Sequence, residues 1–162
     1  MHLKRYAKQW GFQQGASKHE GFTLIELLIV LAIICLCINF ALPYYTQYII
    51  RIRRSEAQTS LLELAQQMES YYRQHHTYKT ATLGTGSPTD IQNTDTTPSG
   101  WYRLYFSQQT ATQYRIQAAP IQQQAVQDLA CQSFTIDQSG EKNITEGPSG
   151  APSTTASECW NF

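Results

Sequence analysis

Two hydrophobic patterns succeed one another along the chain. From Phe22 to Tyr45 nearly every position is apolar, and Glu26 is the one acid in the run. About 24 such residues, at roughly 1.5 Å of rise each, predict a helix long enough to span a bilayer. Pro43, near the far end, is expected to kink or loosen it, because proline lacks the amide donor and crowds the preceding turn. Tyr44, Tyr45 and Tyr48 then read as an interfacial aromatic belt. Farther on, Ala57, Leu61, Leu64, Met68 and Tyr71 recur at helical spacing, with Glu56, Glu63, Gln67 and Arg73 on other faces. No glycine or proline separates the two patterns after Pro43. They predict one helix of about 54 residues, roughly 80 Å long, apolar all round at first and then apolar along a single stripe.

The period then changes to two. WYRLYFS (101–107) and TQYRIQAA (112–119) alternate bulky and polar residues and predict two antiparallel strands. QSFTIDQSGEKNI (132–144) supplies a third strand, a turn at Ser139 and Gly140, and a fourth strand. Thr80–Gly100 and Thr145–Ser157, rich in Gly, Pro, Ser and Thr, read as loops. The fold class is therefore α+β: a long N-terminal helix packed on a small antiparallel sheet of about four strands. The segments expected are 22–45, 46–79 and a head over 80–162, preceded by a leader. Trp101, Tyr102, Tyr105, Phe106 and Tyr114 belong to the strands, half of them facing the helix as core.

Composition adds a boundary. With 162 residues, 41% apolar and 15% charged, the chain suits one modest domain with an appendage. Lys4, Arg5, Lys8 and Lys18 precede the apolar run, accompanied only by Glu20. After Gly21, eight basic residues face eleven acidic ones, which gives no general reason to expect nucleic-acid binding. A secretory cleavage site after the apolar core would fall near Asn39 and Ala41, where Pro43 and two tyrosines follow closely and make it a poor one. Four basic residues before the span compete with Arg51, Arg53 and Arg54 beyond it, so charge alone leaves the orientation undecided.

Four cysteines form two groups. Cys35 and Cys37 lie in the apolar run at i and i+2, pointing in different directions on a helix, so no bond between them is expected. Cys131 and Cys159 lie in the polar part with no Cys-x-x-Cys pair or His cluster near them; a disulfide is the better reading, and it implies an oxidising compartment. No nucleophile constellation, phosphate loop or repeat is present. His75 and His76 close the helix, and Asp90, Asp95, Asp128 and Asp137 are scattered without calcium-loop spacing. No enzyme, metal or cofactor is expected.

Gly21 followed by Phe-Thr-Leu-Ile-Glu26, a basic leader before it, an apolar span, Pro43, a long helix, a small sheet and a late cysteine pair resemble a bacterial type IV pilin over almost the whole chain. The head, from AQTSLLELAQQMESYY to the terminal ECWNF, is similar to the minor pilins of that family. The resemblance implies a leader over 1–21, removed by a membrane prepilin peptidase between Gly21 and Phe22, and methylation of the new amino terminus. A second Gly-Phe, at Gly11 and Phe12, lacks a following apolar run and does not fit. It further implies that Glu26 neutralises the Phe22 amine as subunits stack, and that Pro43 marks where the helix melts during assembly. A carboxylate in hydrocarbon costs at least about 2.5 kcal/mol on insertion scales, so its presence marks a partner.

The expected partners are other pilin subunits, the peptidase and an inner-membrane assembly platform. The chain is expected in the inner membrane with its head in the periplasm, and then in a pilus supporting twitching, adhesion or DNA uptake. Two alternatives stand beside the structural subunit. Some relatives of this subgroup are DNA receptors in natural transformation, yet Arg103, Arg115 and Lys142 are the only basic residues of the sheet region. A type II secretion pseudopilin would share the N-terminal motif; the late cysteine pair counts against it.

Overall fold

A computed structural model describes residues 21–160. The expected leader therefore lies outside the described residues, except for Gly21. Helix α1 covers Leu24–His75 and continues through Pro43, whose side chain is not among those described. Thr23 caps its start, accepting a hydrogen bond from the Glu26 amide at 3.3 Å. The chain divides into two compact units, Met1–Ala41 and Leu42–Phe162. In the first, the side chains from Leu24 to Phe40 are exposed, and the helix is long and apolar enough to cross a membrane, with a mean hydropathy of 2.8 in its most apolar window.

In the second unit the stripe on α1 becomes the core. Ala57, Leu61, Leu64, Met68 and Tyr71 are buried against Tyr102, Leu104, Tyr114, Ile116, Phe134 and Ile136, and Ile50, earlier on α1, is buried as well. Burying large side chains of this kind stabilises by about 1.5–3 kcal/mol each. Their partners lie on one face of a four-stranded antiparallel sheet in the order β3-β4-β5-β6, formed by Tyr102–Gln109, Tyr114–Pro120, Ser133–Asp137 and Lys142–Thr145. The first of these strands runs two residues past its expected end, while the second starts two residues later than expected and ends one residue later. A bulge between Phe106 and Gln108 lets the pairing resume at Arg115, one residue out of phase.

The segment expected to be a plain loop before the sheet holds two short strands, β1 (Thr82–Leu83) and β2 (Asp90–Gln92), paired in parallel. The turn between them is closed by Asp90, whose carboxylate accepts the amides of Thr85, Gly86 and Ser87 at 2.7–3.1 Å. Two short helices also appear where none was expected: α2, Gln122–Gln127, and α3, Ala156–Cys159. Trp101 lies just outside β3, not within it, and its ring carries the Arg53 guanidinium at 3.5 Å from the centroid.

Candidate functional site

The residues singled out by sequence fall in two places. Gly21, Phe22 and Glu26 stand at the start of α1, all exposed, in a stretch where, apart from the capping Thr23, the neighbouring side chains are apolar and exposed as well. The polar side chain farther along, Asn39, donates to the Cys35 carbonyl one turn back at 2.7 Å. Thr46, in the second unit, does the same to the Leu42 carbonyl at 3.1 Å. Glu26 is thus the one charged side chain of α1 within the first unit. Cys35 and Cys37 are free thiols.

In the head, Cys131 and Cys159 are joined by a disulfide with Cα atoms 5.7 Å apart. Around it the tail is fixed three more times. Gln58 donates to the Cys159 carbonyl at 2.7 Å, the Trp160 indole N–H donates to the Asn143 carbonyl at 2.9 Å, and the Trp160 ring meets Phe134 edge-on at 5.5 Å. The turn at Gly147 packs so closely on Gln132 and Ser133 that a Cβ there would run into the Gln132 side-chain oxygen.

Sequence reading missed the most connected group in the head. Asp128, wholly buried, accepts two hydrogen bonds from the Arg54 guanidinium at 2.8 and 2.6 Å, one each from Tyr102 and Gln124, and one from the Cys131 amide. Arg53 reaches Gln124 at 3.4 Å. This network ties α1 to α2 and to the residue carrying one end of the disulfide. A signal was available: Arg54 is four residues after Ile50 and three before Ala57, on the stripe that must be buried, so a buried acid had to meet it.

A second cluster closes the far end of α1. The hydroxyls of Tyr78 and Tyr114 both donate to Glu69, at 3.0 and 3.2 Å, while Tyr72 stacks on Tyr78 and His75 on Tyr71. Burial, reinforced by the Glu69 hydrogen bond and charge, pushes the Tyr78 phenol up to about 12 and Tyr114 up in the same direction. His76 follows in a left-handed conformation with φ of 54°, which turns the chain away from the helix axis.

The cations of the sheet are engaged. Arg103 pairs with Asp95 at 3.5 Å and Arg115 with Asp137 at 3.9 Å. Burial raises the Asp137 carboxyl, but hydrogen bonds from Ser139 and Glu141 outweigh it and hold the group below its usual range. Arg73, in the last turn of α1, and Lys79, four residues beyond its end, are exposed and form no ion pair among the described residues. No His, Cys, Asp and Glu group suited to a metal occurs among the described residues.

An exposed apolar helix with one acid near its start, followed by an amphipathic half packed on a disulfide-closed sheet, defines a type IV pilin, and the prokaryotic N-terminal methylation motif matches residues 16–38. Within that class the chain belongs to the family described as type IV minor pilin ComP, DNA uptake sequence receptor, whose model matches residues 43–135, more than half of the chain.

The type IV major pilin protein PilA of Myxococcus xanthus (strain DK1622) is 38% identical over 61 residues, 38% of this chain and 28% of that protein. A fimbrial protein of Moraxella nonliquefaciens is 58% identical over 40 residues, 25% of this chain and 26% of that protein. The matched stretch thus spans about a quarter of the length of these relatives. Among solved structures, the Neisseria meningitidis non-core minor pilin PilV aligns at 24% identity and a TM-score of 0.46, covering 66% of this chain and 97% of that one. A type IV pilin from Shewanella oneidensis aligns at 20% identity with the same TM-score, 0.46, covering 70% and 99%.

Proposed function

We propose that this chain is a minor subunit of a type IV pilus, cut between Gly21 and Phe22, methylated at Phe22 and assembled through the first part of α1. One observation carries the reading: an exposed apolar helix whose only charge is a carboxylate at the fifth residue after the junction. Cleavage creates a cationic amine at Phe22, and Glu26 is the neighbouring group able to neutralise it away from water. Before assembly the helix holds the chain in the inner membrane with the head in the periplasm, where the disulfide is stable. Afterwards apolar helices that faced lipid face one another, and Pro43 is the place where the helical ladder most easily opens. The peptidase, the assembly platform and other pilins are its partners, and the head takes no part in covalent chemistry.

The test is mass spectrometry of sheared surface filaments and of the membranes left behind. A peptide beginning at methylated Phe22, at trace level beside one dominant pilin, is expected in the filaments. Recovery of uncut Gly21–Phe22 would refute the junction. Glu26→Val is expected to be processed normally but to be depleted from filaments; normal incorporation would remove the assembly role.

A DNA-receptor role is the second reading, favoured by the description of the matching family and by the unpaired Arg73 and Lys79 beside His75 and His76. Each phosphate contact adds about 0.9 to the salt slope of binding on duplex DNA. Arg73→Ala with Lys79→Ala is expected to flatten that slope by about 2. Absence of duplex binding at low salt would exclude the role.

A further inference from the structure

We propose that the gap between β1 and the outer edge of β3 receives an extended, uncharged segment of a second protein, added as a strand between the two. The edge of β3 is occupied at both ends and open in the middle. At one end the Leu104 amide donates to the Asp95 carbonyl at 2.7 Å, and the Tyr102 carbonyl accepts from the Thr97 amide at 3.0 Å. At the other end the Gln109 side chain donates to the carbonyls of Tyr78 and Ala81, both at 2.7 Å.

Alternate residues of a strand aim their backbone groups the same way, so the N–H and C=O of Phe106 share the outward direction of Leu104 and Tyr102. On the facing wall, the Thr82 and Gly84 amides are bonded towards β2, to Thr89 and Gln92, which turns the backbone groups of Leu83 to the other side. No backbone bond outside the ladders engages Leu83 or Phe106 among the described residues. An open strand edge of this kind is a template for pairing with another chain.

The space between is a groove of 340 Å³ that Leu83, Leu104 and Phe106 line. At its mouth Arg103 and Asp95 pair with each other, which leaves no net charge there and suits an occupant without charge. The other edge of the sheet, β6, offers no such place. Its Asn143 carbonyl already accepts the Trp160 indole N–H. The occupant that fits the free backbone groups of Leu83 and Phe106, facing one another across an apolar floor, is a short strand with alternating apolar side chains, a mode in which main-chain bonds give affinity and pockets give specificity. A span from Leu104 to Gln109 admits roughly five residues at about 3.3 Å each.

The test is amide hydrogen exchange on the full chain in detergent micelles, with capped five-residue peptides in which threonine alternates with valine, leucine or tyrosine. The amides of Leu83 and Phe106 are expected to exchange freely in the protein alone. With peptide at ~1 mM they should slow by about tenfold, while the already bonded Leu104 amide changes little. N-methylating the peptide's backbone amides one at a time should remove protection of Leu83 at one set of alternate positions and of Phe106 at the other set, since successive amides face opposite walls. Equal protection by every N-methylated peptide, or none by any peptide, would overturn the proposal. So would protection of both amides that rises with protein concentration in the absence of peptide, which would assign the gap to a second copy of this chain.

Discussion

Arg54 and Asp128 allow a quantitative test of how the head is fixed to its helix. Asp128 is wholly buried and takes five donors, two of them from one guanidinium whose side chain is 19% exposed. Removing one partner of a buried pair costs about 3–5 kcal/mol, mainly because the other charge stays behind without compensation. Asp128→Asn keeps the shape but turns an N–H₂ toward donors, so a loss of about 4 kcal/mol is expected. Arg54→Met keeps an aliphatic stem and leaves Asp128 with Tyr102, Gln124 and the Cys131 amide, so about 2 kcal/mol is expected. The double variant leaves no buried charge and should cost only about 3–4 kcal/mol, a coupling of roughly 2–3 kcal/mol. Urea unfolding of the full chain in micelles, followed by near-ultraviolet circular dichroism of Trp101 and Trp160, measures all three, provided that the denaturant slope is unchanged. Single losses that add to within about 0.5 kcal/mol would refute the network.

Cys131→Ala should lower stability by about 3–4 kcal/mol, because the bond closes a separation of 28 residues, and should free the tail while α1 keeps its helicity; an unchanged melting temperature would contradict this. Gly147→Ala should destabilise by about 1–3 kcal/mol through collision with Gln132, and exchange of the Gly150 amide, bonded to Gly147, should quicken; a silent substitution would mean that the turn shifts freely. Tyr78, with a folded value near 12 against 10.0 unfolded, keeps its proton in the folded state where the unfolded chain loses it. Its contribution is therefore complete below pH 10 and falls between pH 10 and about 12, and Glu69→Gln should lower the tyrosinate absorbance midpoint of Tyr78. A midpoint that stays in place would place the cause elsewhere.

The long helix was readable because its two halves carry two plain patterns, and each of Ala57, Leu61, Leu64, Met68 and Tyr71 is buried where the stripe puts it. The sheet was readable from alternation, with errors confined to strand ends. There the Phe106–Gln108 bulge shifts the phase of pairing, which alternation cannot register. β1 and β2 offered only two and three residues, too short for a period, and are held by the hydroxyls and amides around Asp90. The sequence QQQAVQ of α2 has no apolar stripe; its order comes from Gln124 and the adjacent Asp128, which meet residues more than 20 positions away. Asp128 looked like one scattered acid because its partners lie on three separate elements. The signal lay instead in Arg54, a charge on a face reserved for burial.

Asn39 and Thr46 return their polar groups to carbonyls of their own helix. Thr46 thereby uses its one donor, and Asn39 one of its two, so an apolar surrounding takes in either side chain with less left to satisfy. Along residues 27–40, where Asn39 is the one strongly polar side chain, a neighbour that slides exchanges one set of dispersion contacts for another of nearly equal worth. Position along such a surface is almost degenerate in energy, and the degeneracy is lifted at a single point, the carboxylate of Glu26. On the assembly proposed above, depth and register in an apolar medium, lipid or protein, follow where that one charge finds its counter-charge.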